Sequence, residues 1–345
     1  MTFSPLFSDH HPQMDFFTAD IFDNLPVKDD MASMEHPIFS LTTKPDLRVL
    51  KYENNGVSIV ISPSHEHGLP TIFDKDILLY CGSLLMEQIN KGIIPSKTIR
   101  FSARDLLVTT NRQIGGSGYT LLGKAFERLH GVSITTNIKT NGKRQSKGFH
   151  ILESYEVIEK NHVNRRMVRL EVTMSDWFYN SLIGREVLTI NRKYFQLRKP
   201  LERRLYELAR KHCGTQAEFK IGLEKLHKKT GSTSQLKLFR YYLRGIIKTN
   251  HLPDYQLFLA DNDIVHFSYT PDENTKARSL KDGISPKIKP KTIERAKAMT
   301  IKAGTGWDFY ALQEQFTTQL MEGFKPDNVD GAFIGFIKKK TDKCP

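Results

Sequence analysis

The sequence predicts an α+β protein built of tandem winged helix-turn-helix domains with a small helical C-terminal extension. Three observations predict it. An order of helix, strand, helix, turn, helix and β-hairpin occurs twice along the 345 residues; apolar positions superpose between the two copies; and positive charge is concentrated in the second copy.

Residues 1–36 are acidic and mix Phe with Asp ("MDFFTADIFDNLPVKDDMASMEH"), which reads as an N-terminal arm. The first winged-helix domain is placed at 37–178. Asn55-Gly56 between two alternating runs marks a hairpin. Asp74 is positioned to cap a helix whose apolar stripe is Ile77, Leu78, Tyr80, Cys81, Leu84, Leu85 and Ile89, with Gly92 as its stop. "KTIRFSARDLLVTTN" reads as a strand, a Ser102 cap and a helix. After a glycine turn comes a third helix around Leu122, Phe126 and Leu129. Two strands flanking the basic Asn141-Gly142 loop then read as the wing, followed by a further strand in "RRMVRLEVTMS".

The second domain, 179–272, repeats this order. Its first helix, "KPLERRLYELARKHCG", turns Leu201, Leu205, Leu208 and Ala209 inward and stops at Gly214. Phe101 and Leu106 match Ile221 and Leu226 at an offset of 120; Leu122, Phe126 and Leu129 match Phe239, Leu243 and Ile246 at an offset of 117. The difference falls in the turn, where length changes are tolerated. "LPDYQLFLADNDIVHFSYTP" closes the copy as a hairpin. Residues 273–292 are Lys- and Pro-rich and read as a linker. In 293–345, a helical module, "GWDFYALQEQFTTQLMEGF" reads as one amphipathic helix and "NVDGAFIGFIKKKTDK" as a short apolar segment.

Composition narrows the partner. Lys and Arg total 51 against 38 Asp and Glu, a net charge of +13. Residues 185–250 carry 17 basic and 5 acidic side chains, whereas residues 1–60 carry 4 and 9. Such a concentration points to a polyanion. With no signal peptide, lipidation motif or long apolar run, nucleic acid fits better than a membrane surface, and a reducing cytoplasm is expected. Cys81, Cys213 and Cys344 are too widely spaced for a zinc cluster or a disulfide framework. No cofactor or metal is expected.

The third helix of the second copy carries the strongest binding pattern. Lys237, Arg240, Tyr241, Arg244 and Lys248 follow one another at spacings of three and four on the face opposite Leu236, Phe239, Leu243, Ile246 and Ile247. Arg reads guanine O6 and N7 with two bonds, and Lys neutralises phosphates. Lys228, Lys229, Ser232 and Ser234 in the preceding turn, and Arg203 and Arg204 in the first helix, are further expected phosphate contacts. The first copy offers Tyr119, Lys124 and Arg128 on its third helix and Lys143, Arg144 and Lys147 in the basic hairpin, whose wing suits a backbone or minor groove.

Enzymatic patterns are weaker. "GSGYTLLGKA" approaches a phosphate-binding loop, but Ala125 replaces the magnesium-binding hydroxyl and Tyr-Thr-Leu-Leu is too bulky to wrap a phosphate. His65 and His67 approximate the metal pair of a rolling-circle nickase but have Glu66 between them. His162 and Arg165 match the His-x-x-Arg of tyrosine recombinases in a hairpin turn, without the other residues. No catalytic residue is assigned.

"PLERRLYELARKHCG", "GLEKLHKKTGSTS", "GLPTIFDKDILLYC", "KDDMASMEHPIFSL" and "EVTMSDWFYN" together resemble the bacterial plasmid replication initiator family called replication initiator protein A. The likeness runs from about Asp15 to Pro271, and "GWDFYAL" with "DGAFIGFIKKK" resembles its C-terminal extension. The resemblance implies a protein that binds repeated sites in the double-stranded origin of its own plasmid and starts replication with host replication proteins, with no catalytic site. It agrees with tandem winged helices, which related plasmid initiators use. The first domain then supplies a second DNA contact or a homodimer surface. The rival expectations are a winged-helix repressor and, behind it, the nickase.

Overall fold

Two sheet-and-helix units with one order of elements make up most of the chain, in a computed structural model that describes residues 25–54, 56–144, 148–160, 167–271, 288–303, 309–321, 324 and 326–341. The chain enters through β1 (Val27–Asp30) and α1 (Met31–Glu35), then forms the expected hairpin from β2 (Leu50–Asn54) and β3 (Val57–Ser62). The first unit continues with α2 (Lys75–Asn90), β4 (Thr98–Ser102), α3 (Ala103–Thr109) and α4 (Gly116–Gly131). After these come β5 (Ser133–Thr136), the ribbon β6 (Lys139–Thr140) and β7 (Lys143–Arg144), the long strands β8 (Leu152–Lys160) and β9 (Met167–Met174), and α5 (Asp176–Ile183).

The second unit follows β10 (Val187–Ile190) with α6 (Pro200–His212), β11 (Glu218–Gly222), α7 (Leu223–Thr230), α8 (Leu236–Thr249), β12 (Tyr255–Leu259) and β13 (Ile264–Tyr269). Its sheet order, β11-β13-β12, reproduces β4-β9-β8 of the first unit. The matched apolar residues explain the likeness: Leu122, Phe126 and Leu129 of α4 and Phe239, Leu243 and Ile246 of α8 are all buried, each stabilising its core by roughly 1.5–3 kcal/mol. Ser102 caps α3 as expected, accepting the Asp105 N–H.

Four expectations are corrected. The basic Asn141-Gly142 loop, expected as a wing, does not join strands of the β4-β9-β8 sheet: β5 pairs with β3, β6 only with β7, and the hairpin equivalent to β12–β13 is β8–β9, whose turn, 161–166, lies outside the described residues. Buried Ile134 directs β5 into the first core instead. The N-terminal arm does not extend to residue 36, since β1 pairs antiparallel with β10 and buries Asp29 and Asp30; residues 1–24 lie outside the described residues. Asp74 does not cap α2; its carboxylate accepts from the Thr71 N–H and from Arg128. The C-terminal module contains three helices, α9 (Pro290–Ala303), α10 (Phe309–Met321) and α11 (Val329–Thr341), closed around Ala296, Phe309, Leu312, Phe316, Phe333 and Ile337. Most of the expected linker, 272–287, lies outside the described residues, as does Trp307, and helix begins at Pro290.

A buried ionic seam joins the units. Lys75, at the start of α2, lies 2.8 Å from Asp29 and 3.0 Å from Glu207 of α6. Its neighbour Asp76 receives Arg203 of α6 at 2.5 Å and Arg112 at 2.9 Å. Arg204 meets Glu207 at 3.0 Å and donates to the carbonyls of Ser33, Met34, Glu35 and Lys229. Charges this deep persist only when paired and hydrogen-bonded.

Candidate nucleic-acid interface

Helix α8 is amphipathic in the way its spacing requires. Phe239, Leu243 and Ile246 are buried and Leu236 and Ile247 pack partly on them, which leaves Lys237, Tyr241, Arg244 and Lys248 exposed. Tyr241 is 71% exposed. Arg240 differs from its neighbours, because both of its terminal nitrogens are taken by Asp263 at the turn between β12 and β13, one at 2.7 Å. The hydrogen bond from Arg240, with added charge from Arg240 and Arg244, holds the Asp263 carboxyl below the usual range. A guanine contact by this fork requires the exposed ion pair with Asp263 to open first.

The turn before α8 rests on Gly231, at φ 71°, where an added Cβ would lie 2.4 Å from Pro37. The Ser232 and Ser234 hydroxyls are 2.9 Å apart, bonded to each other, and Lys228 is exposed on the last turn of α7. Lys229 is buried, with its ammonium on Glu35 and 3.4 Å from His212. Burial pushes the Glu35 carboxyl up, but hydrogen bonds and charge from His212 and Lys229 outweigh it and hold Glu35 well below the usual range. Lys229, Arg203 and Arg204 are therefore corrected: they are seam residues and do not reach a phosphate. Basic pairs within a helix look alike in sequence whether they face water or carboxylates; the Glu202 and Glu207 that flank this pair are the one available hint.

On α4, Lys124 is exposed, Leu121 is 59% exposed and Tyr119 is half-buried against the first core. Arg128 is a second correction. Asp74 binds its guanidinium at 2.7 and 2.8 Å, and its side chain is only 16% exposed. Lys143 is exposed on the short ribbon, Arg144 follows it in β7, and Lys147 lies outside the described residues. The ribbon is tied down by the Asn141 N–H, which donates to Glu186 at 2.9 Å; burial pushes that carboxyl up to about 7.

The structure brings α4 and α8 to opposite sides of one segment, residues 40–46. On the α8 side is a cleft of about 820 Å³ that includes Leu41, Thr42, Lys199, Tyr241, Arg244 and Lys248. On the α4 side is one of about 520 Å³ that includes Lys44, Pro45, Leu121, Lys124, Arg128 and Arg198. The carboxylates in these walls, Asp46 and Asp74, are bound to Arg48 and Arg128. Lys44, Arg198 and Lys199 are missing from the sequence-based set because no periodicity relates loop residues to a helix face, and the half-exposed Tyr242 because it lies beside the three-and-four spacing of the α8 basic stripe.

Residues 116–131 form one helix, so no loop is there to wrap a phosphate. His67 lies 3.3 Å from Glu127 and 3.7 Å from Glu66, and no cluster of three or more metal-ligating side chains occurs among the described residues. His162 and Arg165 lie outside those residues. No described helix is long and apolar enough to cross a membrane.

Comparison with known proteins adds an independent line. The family described as "Replication initiator protein A" matches residues 28–257. A protein of Wigglesworthia glossinidia brevipalpis named "Putative replication protein" is 40% identical over 257 residues, covering 74% of this chain and 93% of that protein. Among solved structures, domains 2 and 3 of RctB align with a TM-score of 0.51 at 12% identity, over 68% of this chain and 95% of that one, a likeness of fold.

Proposed function

The chain belongs to the replication initiator protein A family, and we propose that it is a non-enzymatic, sequence-specific double-stranded-DNA-binding protein that recognises a plasmid origin and starts replication with host factors. In this reading both units are winged helix-turn-helix domains, with α4 and α8 as recognition helices and β8–β9 and β12–β13 as wings. One observation carries it. Exposed side chains of the two equivalent third helices line clefts that border one segment, residues 40–46, and a duplex bound across that segment would meet both. Joined through the ionic seam, the two modules bind with a high effective concentration of the second for the first.

Arg244 is the residue assigned to base reading on α8, with Lys237, Lys248 and Lys124 on phosphates. Footprinting on the DNA of its own plasmid locates the site. Titration of Arg244→Ala against that site and a scrambled duplex then tests the reader. The expected loss is about 1–3 kcal/mol at the cognate site with relaxed preference at one base pair. Arg240→Ala should cost less, its fork being held by Asp263. If Arg244→Ala and Lys237→Ala both leave cognate preference intact, α8 is not the reader.

A further inference from the structure

Given the DNA-facing role assigned to α4 and α8, on which this rests, we propose that residues 40–48 form a braced strap that makes a third DNA contact. In it Lys44 holds a phosphate of the duplex between the stretches that face the two helices. The strap separates the two clefts: Leu41, Thr42 and Asp46 line the one under α8, and Thr43, Lys44 and Pro45 the one under α4. A polyanion that crosses from one third helix to the other passes over it. Lys44 is exposed there, with Arg198 lining the same cleft and Lys199 the other.

The strap is fixed at both ends before DNA arrives. Toward the first unit, the Ser40 N–H donates to the Pro70 carbonyl at 2.9 Å, and the Ile72 and Leu69 N–H groups donate to the Ser40 and Asp46 carbonyls at 3.0 and 2.9 Å. Gly68, at φ 76°, allows this approach, since a Cβ there would lie 2.9 Å from the Asp46 nitrogen. Toward the second unit, Arg48 reaches the Thr233 hydroxyl at 3.4 Å, and Gly231 packs on Pro37 just ahead of the strap. Under Lys44 itself, the Thr42 hydroxyl donates to the Lys44 carbonyl at 2.6 Å. A cation on a mobile loop would lose backbone freedom on binding; on a braced strap that cost is already met in folding. The Asp46 carboxylate accepts from Arg48 at 2.8 and 2.7 Å, so its charge is neutralised beside the incoming phosphate.

The test uses the full chain with Lys44→Ala, Lys44→Glu and, as control, Lys91→Ala, an exposed lysine that lines neither cleft. Each is titrated against a duplex from the plasmid's origin and a scrambled duplex of equal length over a series of salt concentrations. A phosphate contact predicts that Lys44→Ala lowers the slope of log K against log salt by about 0.9 and weakens both duplexes by the same factor. Lys44→Glu should weaken both further, Lys91→Ala should match wild type, and melting temperatures should not move. Wild-type slopes for both Lys44 variants, with Lys124→Ala and Arg244→Ala impaired, would overturn the strap contact and leave the DNA-facing assignment standing. Unchanged binding in all four would remove that assignment too. A loss confined to the origin duplex would also overturn it, since phosphates carry no sequence.

Discussion

Replacing Arg203 by Ala should unfold the protein more readily and leave its response to salt untouched. Arg203 is 1% exposed; its guanidinium donates to Asp76 at 2.5 Å and to the carbonyls of Leu197 and Phe195, and lies 4.5 Å from the Phe73 ring and 4.9 Å from that of Tyr194. Truncation leaves Asp76 with Arg112, takes a donor from two carbonyls and empties the space between two rings. Removing one partner of a buried pair costs about 3–5 kcal/mol. At roughly 2–4 °C per kcal/mol for a body of this size, the melting temperature should fall by about 6–20 °C. Urea denaturation should show a lower midpoint at unchanged slope. DNA titrations of the folded variant should keep the wild-type salt dependence. A stability change under about 1 kcal/mol, joined to a salt slope reduced by about one, would refute the burial argument and return Arg203 to the DNA.

Three further outcomes follow from the same geometry. Lys228→Ala should lower the salt slope by about one and spare stability, whereas Lys229→Ala should destabilise by about 1–3 kcal/mol and spare the slope; thermal melts beside DNA titrations separate them. Burial raises Glu186 from 4.5 to about 7, so the folded state binds its proton more tightly than the unfolded chain, and this contribution is full below about 4.5 and lost as pH rises through 7. The difference in stability between wild type and Glu186→Gln should accordingly change by on the order of 3 kcal/mol across that window, and a flat difference would contradict it. Deleting residues 288–345 should leave duplex affinity within about twofold while impairing plasmid replication in cells, because the three-helix module closes its own core; loss of both would give it a structural role in the main body.

Much of the fold was legible because burial has a period. The stripe Phe239, Leu243, Ile246 and its counterpart Leu122, Phe126, Leu129 announce two equivalent helices, and the exposed Lys237, Tyr241, Arg244 and Lys248 follow by subtraction. The hairpin of the first unit was misplaced because Asn141-Gly142 is a genuine turn, at φ 48° and 71°, and local turn chemistry does not say which strands the flanking segments will join. The fate of Arg128, Arg203, Lys229 and Arg240 was hidden for a related reason: each is answered by a carboxylate distant in sequence, Arg203 by Asp76 and Lys229 by Glu35, whereas Arg204 meets Glu207 one helical turn away and is buried by carbonyls of residues 33–35 and 229. A one-dimensional pattern gives the charge of a helix face but not what sits opposite it.

The seam also fixes an order of events at the ribosome. Lys75 and Asp76 emerge early, yet Glu207 and Arg203 that neutralise them are well over a hundred residues behind, and β1 must wait equally for β10. At synthesis rates of roughly 5–20 residues per second, the nascent first unit spends on the order of 7–26 s with Lys75 lacking Glu207 and Asp76 lacking Arg203. The helix–strand–helix segment from α2 to α4 can therefore gather only loosely until α6 clears the exit tunnel. A ribosome stalled short of residue 200 should hold a protease-sensitive chain, and one stalled past the exposure of His212 should hold a resistant one.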